Sequence, residues 1–329
     1  MLKRSVAAVL MALAVGVAGA PPAAADEKPW VKLEGTSGTV NDGLGVRLAS
    51  YSLVWDAGQA HDGYLREGKT FVKTRYREAL VAPGRRWVAG IPDNRVWVAA
   101  GKIDLIDRRT GRTRSITMPA PVTSPEWSAD GRTLLLTAYQ KHSDGDYTII
   151  GFVTLNPHDR VPRLVKAGPR HRVADWAVGR HHRFFFATPG RVMARHDDKG
   201  GVAVYDLDGE RRRFYQGVGA FDEWTAVTVS SPSGHLFATA LSENADGVRL
   251  IGIVDARSGK VVRRIGPGKL FFSGWYDDKH VIVSREHGKT VTFQRVSLSG
   301  GTTLDLIKEK LVHGPAEYKP HLARVNFIR

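Results

Sequence analysis

The stretch from residue 125 to residue 168 decides the fold; it opens with PEWSADGRTLLLTAY (125–139) and closes with VTLNPHDRVPRLVKAG (153–168). Short apolar runs alternate there with polar turns rich in Asp, Asn and Gly, which is typical of antiparallel strands. The pattern predicts one sheet unit with a strand that ends at Trp127 and three more over Thr133–Tyr139, Thr148–Leu155 and Pro162–Lys166.

Variants of this unit recur along the chain, as two independent markers indicate. Five tryptophans precede polar turns at spacings of 40, 49, 48 and 51 residues: Trp87, Trp127, Trp176, Trp224 and Trp275. In step with them, a strand ends in a tight polar turn at IDRRTGR (106–112), LNPHDR (155–160), YDLDGE (205–210), VDARSGK (254–260) and VSLSGG (296–301). Four strands repeated about every 45 residues predict the blades of an all-β propeller.

The number of blades follows from what the five units leave over. They occupy roughly residues 80–310, and further strands are predicted over Val46–Val54, Thr70–Arg75 and Leu322–Ile328. Pairing strands from the two chain ends would remove exposed sheet edges. We therefore predict a six-bladed propeller over residues 46–329, closed by pairing of amino- and carboxy-terminal strands, after a lead-in over 26–45; seven blades are the alternative. The only helix candidate is Leu304–Val312.

The pattern EWSADGRTLLLTAY, followed by an aliphatic strand and later by YDLDGERRRF, resembles the blade repeat of TolB-type, WD-like β-propellers. The residues that match this repeat are Trp127, Ser128, Asp130 and Gly131 in its first half, and Asp206, Asp208, Gly209, Asp255 and Gly259 in its second. The resemblance implies the fold over about 230 residues. It implies no single function, because propellers host many activities. TolB proteins also carry an amino-terminal α/β domain, for which we expect no room here.

The first 25 residues predict a secretory signal peptide. Lys3 and Arg4 precede an apolar or small stretch over Val6–Ala20, and an Ala-x-Ala cleavage site precedes Asp26. That stretch is shorter than the ~20 residues a membrane span needs, and no later segment is long enough. We expect a secreted protein, extracellular or associated with the cell wall.

Composition restricts the chemistry and the partners. The chain has no cysteine, which excludes disulfides, thiolate metal sites and a cysteine-linked lipid anchor. The formal net charge is +15, or +13 without Lys3 and Arg4, and such a field favours polyanions; a merely basic, soluble surface is the alternative. We expect a monomer whose partner is a protein or an anionic polymer of the cell envelope, and not nucleic acid.

The loops predict where a partner would bind. In a four-stranded blade, the loops between the second and third strands share one end of the ring with the connections between blades. These loops are long and charged, and we interpret them as QKHSDGDY (140–147), PGRVMARHDDKGG (189–201), SENADG (242–247) and REHGK (285–289), with KAGPRHR (166–172) as a connection. The ligand-binding candidates there are His142, Arg172, Arg195 and His196; solvated loop tips are the alternative.

Two clusters in these loops have oxygen and nitrogen ligands that a cation could use: His142, Asp144 and Asp146, and then His196, Asp197 and Asp198. Lys141 and Lys199 stand beside them and would repel a cation. Asp/Gly turns are therefore the favoured interpretation, and we expect no metal and no cofactor.

Catalytic motifs are absent from the sequence. There is no Gly-x-Ser-x-Gly elbow, no His-Glu-x-x-His helix and no Gly-rich phosphate loop after a strand, so no catalytic residue is assigned. The tryptophans are predicted to wedge between neighbouring blades, with a sugar-stacking platform as the alternative. The sequence favours a non-catalytic binding propeller. The alternatives are a propeller hydrolase or lyase acting on a carbohydrate or lactone, and a structural propeller with a large apolar patch.

Overall fold

A computed structural model describes residues 30–55, 60–92, 99–168, 170–174, 178, 182–188, 190–196, 201–221, 226–243, 249–268, 270–301, 303–311 and 321–328. In chain order its strands are β1 (Trp30–Lys32), β2 (Thr39–Asn41), β3 (Arg47–Trp55), β4 (Ala60–Glu67), β5 (Thr70–Lys73), β6 (Tyr76–Val81), β7 (Trp87–Pro92), β8 (Ala100–Asp107), β9 (Arg112–Trp127), β10 (Leu134–Lys141), β11 (Tyr147–Leu155), β12 (Arg163–Lys166), β13 (Arg172–Val173), β14 (Phe184–Thr188), β15 (Arg191–Arg195), β16 (Val202–Asp206), β17 (Arg211–Tyr215), β18 (Leu236–Glu243), β19 (Arg249–Asp255), β20 (Val261–Gly268), β21 (Leu270–Asp277), β22 (His280–His287), β23 (Thr290–Ser297), β24 (Thr303–Lys310) and β25 (His321–Ile328).

The strands form five antiparallel sheets with the orders β25-β3-β4-β5, β6-β7-β8-β9-β10-β11-β12, β14-β15-β16-β17, β18-β19-β20 and β1-β2-β24-β23-β22-β21, and β13 pairs with β11. Most neighbours within a sheet are consecutive in sequence, so each sheet is a meander. The described part of the chain has no helix. The prediction of an all-β propeller arrangement is confirmed.

Strand β9 belongs to two of the predicted units. It is 16 residues long; its first half pairs with β8 from Arg112 onward, and its last residues pair with β10, with Trp127 opposite Leu134. It is therefore the outer strand of one four-stranded unit and the first strand of the next.

Both ends of the described chain are hydrogen-bonded into sheets. Strand β25 pairs with β3, with Ile328 opposite Arg47, and β2 pairs with β24, with Val40 opposite Ile307. The strands predicted at the two chain ends are thus confirmed. The only helix candidate, Leu304–Val312, is not a helix over its described residues, because residues 304–310 belong to β24, a strand with β23 on one side and β2 on the other.

Apolar side chains from neighbouring sheets build the core. Phe185 of β14, Phe237 of β18 and Phe272 of β21 are almost fully buried in one cluster. Because each sheet buries both of its faces against neighbours, strands inside a sheet are apolar on both faces, as in VAVY (202–205) of β16.

Indole side chains also donate hydrogen bonds to the backbone of the preceding unit. Trp127 Nε1 donates to the Leu80 carbonyl at 2.9 Å, and Trp275 Nε1 donates to the Val229 carbonyl at 2.8 Å. Both indoles are buried. The predicted wedge between neighbouring units is confirmed for these two tryptophans.

Trp87 does not occupy this position. The residue equivalent to Trp127 in the unit before it is Val81, which pairs with Val88 as Trp127 pairs with Leu134. The prediction that Trp87 ends a strand is wrong, because it begins β7. Trp176 and Trp224 lie outside the described residues.

The sequence also misplaced one loop. Residues 189–201 were predicted to be a single loop, but they contain β15, so Arg195 is the last residue of a strand. The first strand of that unit is β14, which follows Trp176 by several residues.

Candidate binding sites at the two ends of the sheets

The sheets have two distinct ends, which we name from the connections found there. Strand β10 runs from Leu134 to Lys141 between the turn 128–133 and the loop 142–146. Since β9, β10 and β11 are antiparallel, that turn and that loop lie at opposite ends. The turn end carries the turns 82–87, 128–133 and 156–160, and the loop end carries the loop 142–146.

A cavity of about 320 Å³ opens at the turn end. Each sheet or unit contributes to its walls: Val81, Trp127, Phe186, Ser230, Trp275 and Ile328. The sheets and units therefore converge on one central channel, and the cavity is the mouth of that channel. Its lining is mostly apolar with a few polar groups, as small-molecule and side-chain pockets usually are.

Glu126 lies in the wall of this channel mouth and is almost completely buried. Its Oε2 accepts a hydrogen bond from the Phe186 N–H at 2.9 Å, which satisfies a donor on the unpaired edge of β14. Burial raises the pKa of Glu126 to about 8; Thr228, the Phe186 N–H and the charge of Arg183 oppose this rise. Glu126 is therefore largely protonated at neutral pH.

Asp130 also lines the channel mouth, and its pKa moves in the opposite direction. It accepts hydrogen bonds from Ser128 Oγ at 2.6 Å and from the Arg132 N–H at 3.0 Å. The bond from Ser128 is the largest cause that lowers the pKa of Asp130. Asp130 is thus ionised and is held by its own turn.

Below the mouth, the channel narrows and is filled by polar side chains. A cavity of only about 20 Å³ remains there, room for about one water. Beside it, Arg324 Nη1 pairs with Glu78 Oε2 at 2.6 Å, and Asn326 Nδ2 donates to the Val81 carbonyl at 3.0 Å. The channel mouth is consequently a cavity at the turn end with a narrow, polar floor.

The predicted ligand-binding residues lie at the loop end. Arg172 pairs with the carboxylates of Asp144 and Asp146, the latter at 3.1 Å from its Nε. His142 Nε2 is 2.7 Å from Thr148 Oγ1. Both aspartates sit in the loop that was predicted to bind an anion, and they neutralise Arg172.

The other two predicted residues adjoin a cluster of histidines. The edge of the His196 ring contacts Phe214, with 5.1 Å between ring centroids, and its backbone carbonyl lies 3.3 Å from His171 Nε2. His171 stacks on His182 at 3.9 Å, and Arg195 precedes His196 at the end of β15. His171 thus links the pair Arg195 and His196 to Arg172, so the structure brings the four predicted residues to one end. Their role in binding stays a prediction.

Of the two clusters considered as cation ligands, the first is not assembled within the described residues. Across these residues there is no group of three His, Cys, Asp or Glu side chains that could hold a metal ion. Asp144 and Asp146 contact Arg172, and Asp197 and Asp198 lie outside the described residues. Within the same residues, no helix is long and apolar enough to cross a membrane.

Comparisons with known proteins support the fold. No protein-family model matches the chain, and no curated protein matches its sequence. Among solved structures, the chain is similar to TolB from Acinetobacter baumannii, with 15% identity and a TM-score of 0.50 over 84% of this chain and 66% of that one, which is just under two thirds of its length. This confirms the predicted TolB-type resemblance at the level of fold.

Two further similarities are more distant. One is to a protein of unknown function from Desulfotomaculum acetoxidans, with 11% identity and a TM-score of 0.48 over 80% of this chain and 82% of that one. The other is to an acylaminoacyl peptidase from Pyrococcus horikoshii, with 12% identity and a TM-score of 0.43 over 87% of this chain and 46% of that one. Similarity at this level does not transfer an activity.

Proposed function

We propose that this chain is an exported, monomeric, six-bladed propeller that binds a partner at its channel mouth and catalyses no reaction. Counting the two halves of β9 separately divides the five sheets into six units. The pairing of β25 with β3 would then close the ring.

The channel mouth carries this proposal. It offers about 320 Å³ of mostly apolar space lined by residues of every sheet or unit. Of its described carboxyl groups, Glu126 is bonded to the Phe186 N–H and Asp130 is held within its turn. Both therefore have structural partners, and the pocket is suited to accept an apolar side chain of a partner protein.

Blocking the mouth tests this function. Ala129 is exposed on the rim of the cavity, so Ala129→Trp should fill the entrance without disturbing the core. The matched control is Ser299→Trp, at an exposed turn between β23 and β24. Peptides selected from a displayed random library on the wild-type protein should lose binding to Ala129→Trp and keep it with Ser299→Trp. Peptides that bind both variants equally would refute the channel-mouth site.

The loop end could contact an anionic envelope polymer through His142, Arg172, Arg195 and His196, and this remains part of the proposal. Support comes from their common position at one end; the two aspartates on Arg172 weaken it. If the contact is electrostatic, retention on an anionic polymer should fall steeply with salt. The double variant Arg195→Ser/His196→Ser should reduce retention at low salt, and unchanged retention would remove these residues from the proposal.

Hydrolysis or lyase chemistry on a carbohydrate or lactone is the second candidate function, and one observation favours it. Glu126 is protonated and Asp130 ionised at neutral pH on the wall of the same cavity, the division expected of a general acid and a base. Glu126→Gln would abolish turnover of a glycoside or lactone substrate in this case. If the channel mouth only binds a partner, the wild-type protein should turn over no such substrate.

Export is tested directly by the mature terminus. Amino-terminal sequencing of protein collected outside the producing cells should begin at Asp26. Intact protein that retains residues 1–25 inside the cell would contradict it.

A further inference from the structure

We infer that a second site, separate from the channel mouth, binds phosphate groups of a polyanion in an arginine-lined groove at the turn end. The groove has a volume of about 190 Å³ and lies between two neighbouring four-stranded units. Its charged lining is formed by Arg109, Arg112, Arg114, Arg160 and Asp107. We call it the arginine groove.

The sheet register explains why these residues share one face. Trp87, Asp107 and Arg112 are direct neighbours across β7, β8 and β9. Arg114 lies two residues further along β9, opposite Leu105, so its side chain points to the same face as that of Arg112.

The other wall comes from the following unit. Pro157 and Arg160 belong to the turn between β11 and β12 and line the same groove. The His158 ring meets the edge of Trp87, with 5.6 Å between ring centroids, so the two walls touch at the base. The groove is therefore a fixed feature between two packed units.

Four arginines against one aspartate give the groove a net positive charge. Its carboxylate, Asp107, pairs with Arg86 at 3.1 Å and accepts the Arg109 N–H at 3.0 Å. Arg86 is not part of the lining and lies over the Trp87 ring. Among the residues that the structure describes, none of the four lining arginines has a carboxylate within ion-pair distance, and all four are exposed.

A backbone observation points independently to the same place. Arg160 has a φ of 60°, in the left-handed region, and its N–H closes a turn onto the Asn156 carbonyl at 2.9 Å. In two equivalent turns the same hydrogen bond is made by Gly111, with φ 69°, and by Gly259, with φ 72°. The chain thus places an arginine where the turn favours glycine, at a conformational cost that is typical of functional positions.

The chemistry of these side chains identifies the ligand class. Guanidinium groups present several donors in a planar fork and bind phosphate oxygens in pairs. Four of them around one groove, with Arg112 and Arg114 about 7 Å apart along β9, suit a chain of phosphates better than a single small anion.

The test uses inorganic tripolyphosphate as the ligand, measured by titration calorimetry on the full mature chain at low salt. The variant Arg160→Gly should weaken binding by about tenfold or more, since each lost charge-assisted contact costs that much. The same variant should unfold at a higher temperature than the wild type, because glycine suits the turn. Weaker binding in a more stable protein cannot come from damage to the fold.

The matched control is Arg85→Gly. Arg85 also occupies a left-handed position, with φ 64°, where Gly131 and Gly234 stand in equivalent turns, and it does not line the groove. It should gain stability and keep its affinity within about twofold. Equal weakening by both variants would show a diffuse basic surface and overturn the groove, and tighter binding of citrate than of tripolyphosphate would overturn phosphate as the ligand. Either result leaves the channel-mouth proposal unaffected, because that site shares no lining residue with the groove.

Discussion

The turn end and the loop end of these sheets both expose arginines, but the arginines differ in what they contact. At the loop end, Arg172 lies between Asp144 and Asp146 and its charge is balanced. At the turn end, Arg112, Arg114 and Arg160 line one groove without an ion pair among the described residues. The number of basic residues in a sequence therefore shows how much positive charge a surface carries. It does not show how much of that charge is unpaired, because the fold decides which acidic neighbours each arginine has.

The largest effect is expected where the turn end depends on packing between units. Trp127→Ala removes a buried indole and its hydrogen bond to the Leu80 carbonyl, and we expect a loss of about 3–5 kcal/mol in the free energy of unfolding. Urea denaturation measures it. A loss below about 1 kcal/mol would mean that the indole does not join the two units.

The next effect is a pH dependence at the turn end. Because burial raises the pKa of Glu126 from 4.5 to about 8, the folded state holds this proton more tightly than the unfolded state. Its contribution to stability is therefore complete below pH 4.5 and is lost as the pH rises through 8. Glu126→Gln should show a flatter decline, measured as the difference between the two proteins in urea midpoints from pH 4.5 to 8. Parallel profiles would contradict the raised pKa.

A smaller effect of opposite sign is expected in a turn. Arg85→Gly relieves a left-handed residue and should stabilise the protein by about 1 kcal/mol. Thermal unfolding detects this as a higher midpoint. A lower midpoint would show that the Arg85 side chain makes a contact worth more than the strain.

The smallest effect is expected at the loop end. Arg172 is exposed and its pairs with Asp144 and Asp146 are open to solvent, so Arg172→Ala should leave the urea midpoint almost unchanged. Loss of Arg172 should nevertheless leave Asp144 and Asp146 without their counter-charge. Retention on an anionic polymer should therefore fall more in Arg172→Ala than in Arg132→Ala, which removes the same charge at the turn end. Equal retention of the two variants would show that an arginine contributes equally to polymer binding at the two ends.

Much of the fold was predictable from local sequence. The turn after Trp127 precedes an apolar run whose length indicates a strand, and this strand and β25 were placed correctly. Trp87 was misplaced because the turn before it, APGRRW (82–87), carries Arg85 where Gly131 and Gly234 stand elsewhere. With arginine in place of that glycine, the turn is hard to recognise in the sequence, and Trp87 was therefore predicted to end a strand although it begins one.

The sites were less predictable, because they are made by residues from different units. In the sequence, Glu126 stands one residue before the end of a strand and looks like a solvent-exposed side chain. Its burial involves β14, some 60 residues later. The arginine groove joins the turn of one unit to the turn of the next, with Asp107 and Arg160 on opposite walls. The one local signal for the groove was a run of arginines, RRTGRTR (108–114), which composition alone assigns to a solvated surface.

The pairing of β3 with β25 joins residues almost a full chain length apart. During synthesis, β3 emerges early but lacks its partner until β25 has been made, so its edge stays open in the meantime. A chain that stops before residue 321 would keep this edge exposed permanently. Such truncated chains should therefore self-associate edge to edge, so the eight-residue strand β25 protects β3 against pairing with other chains.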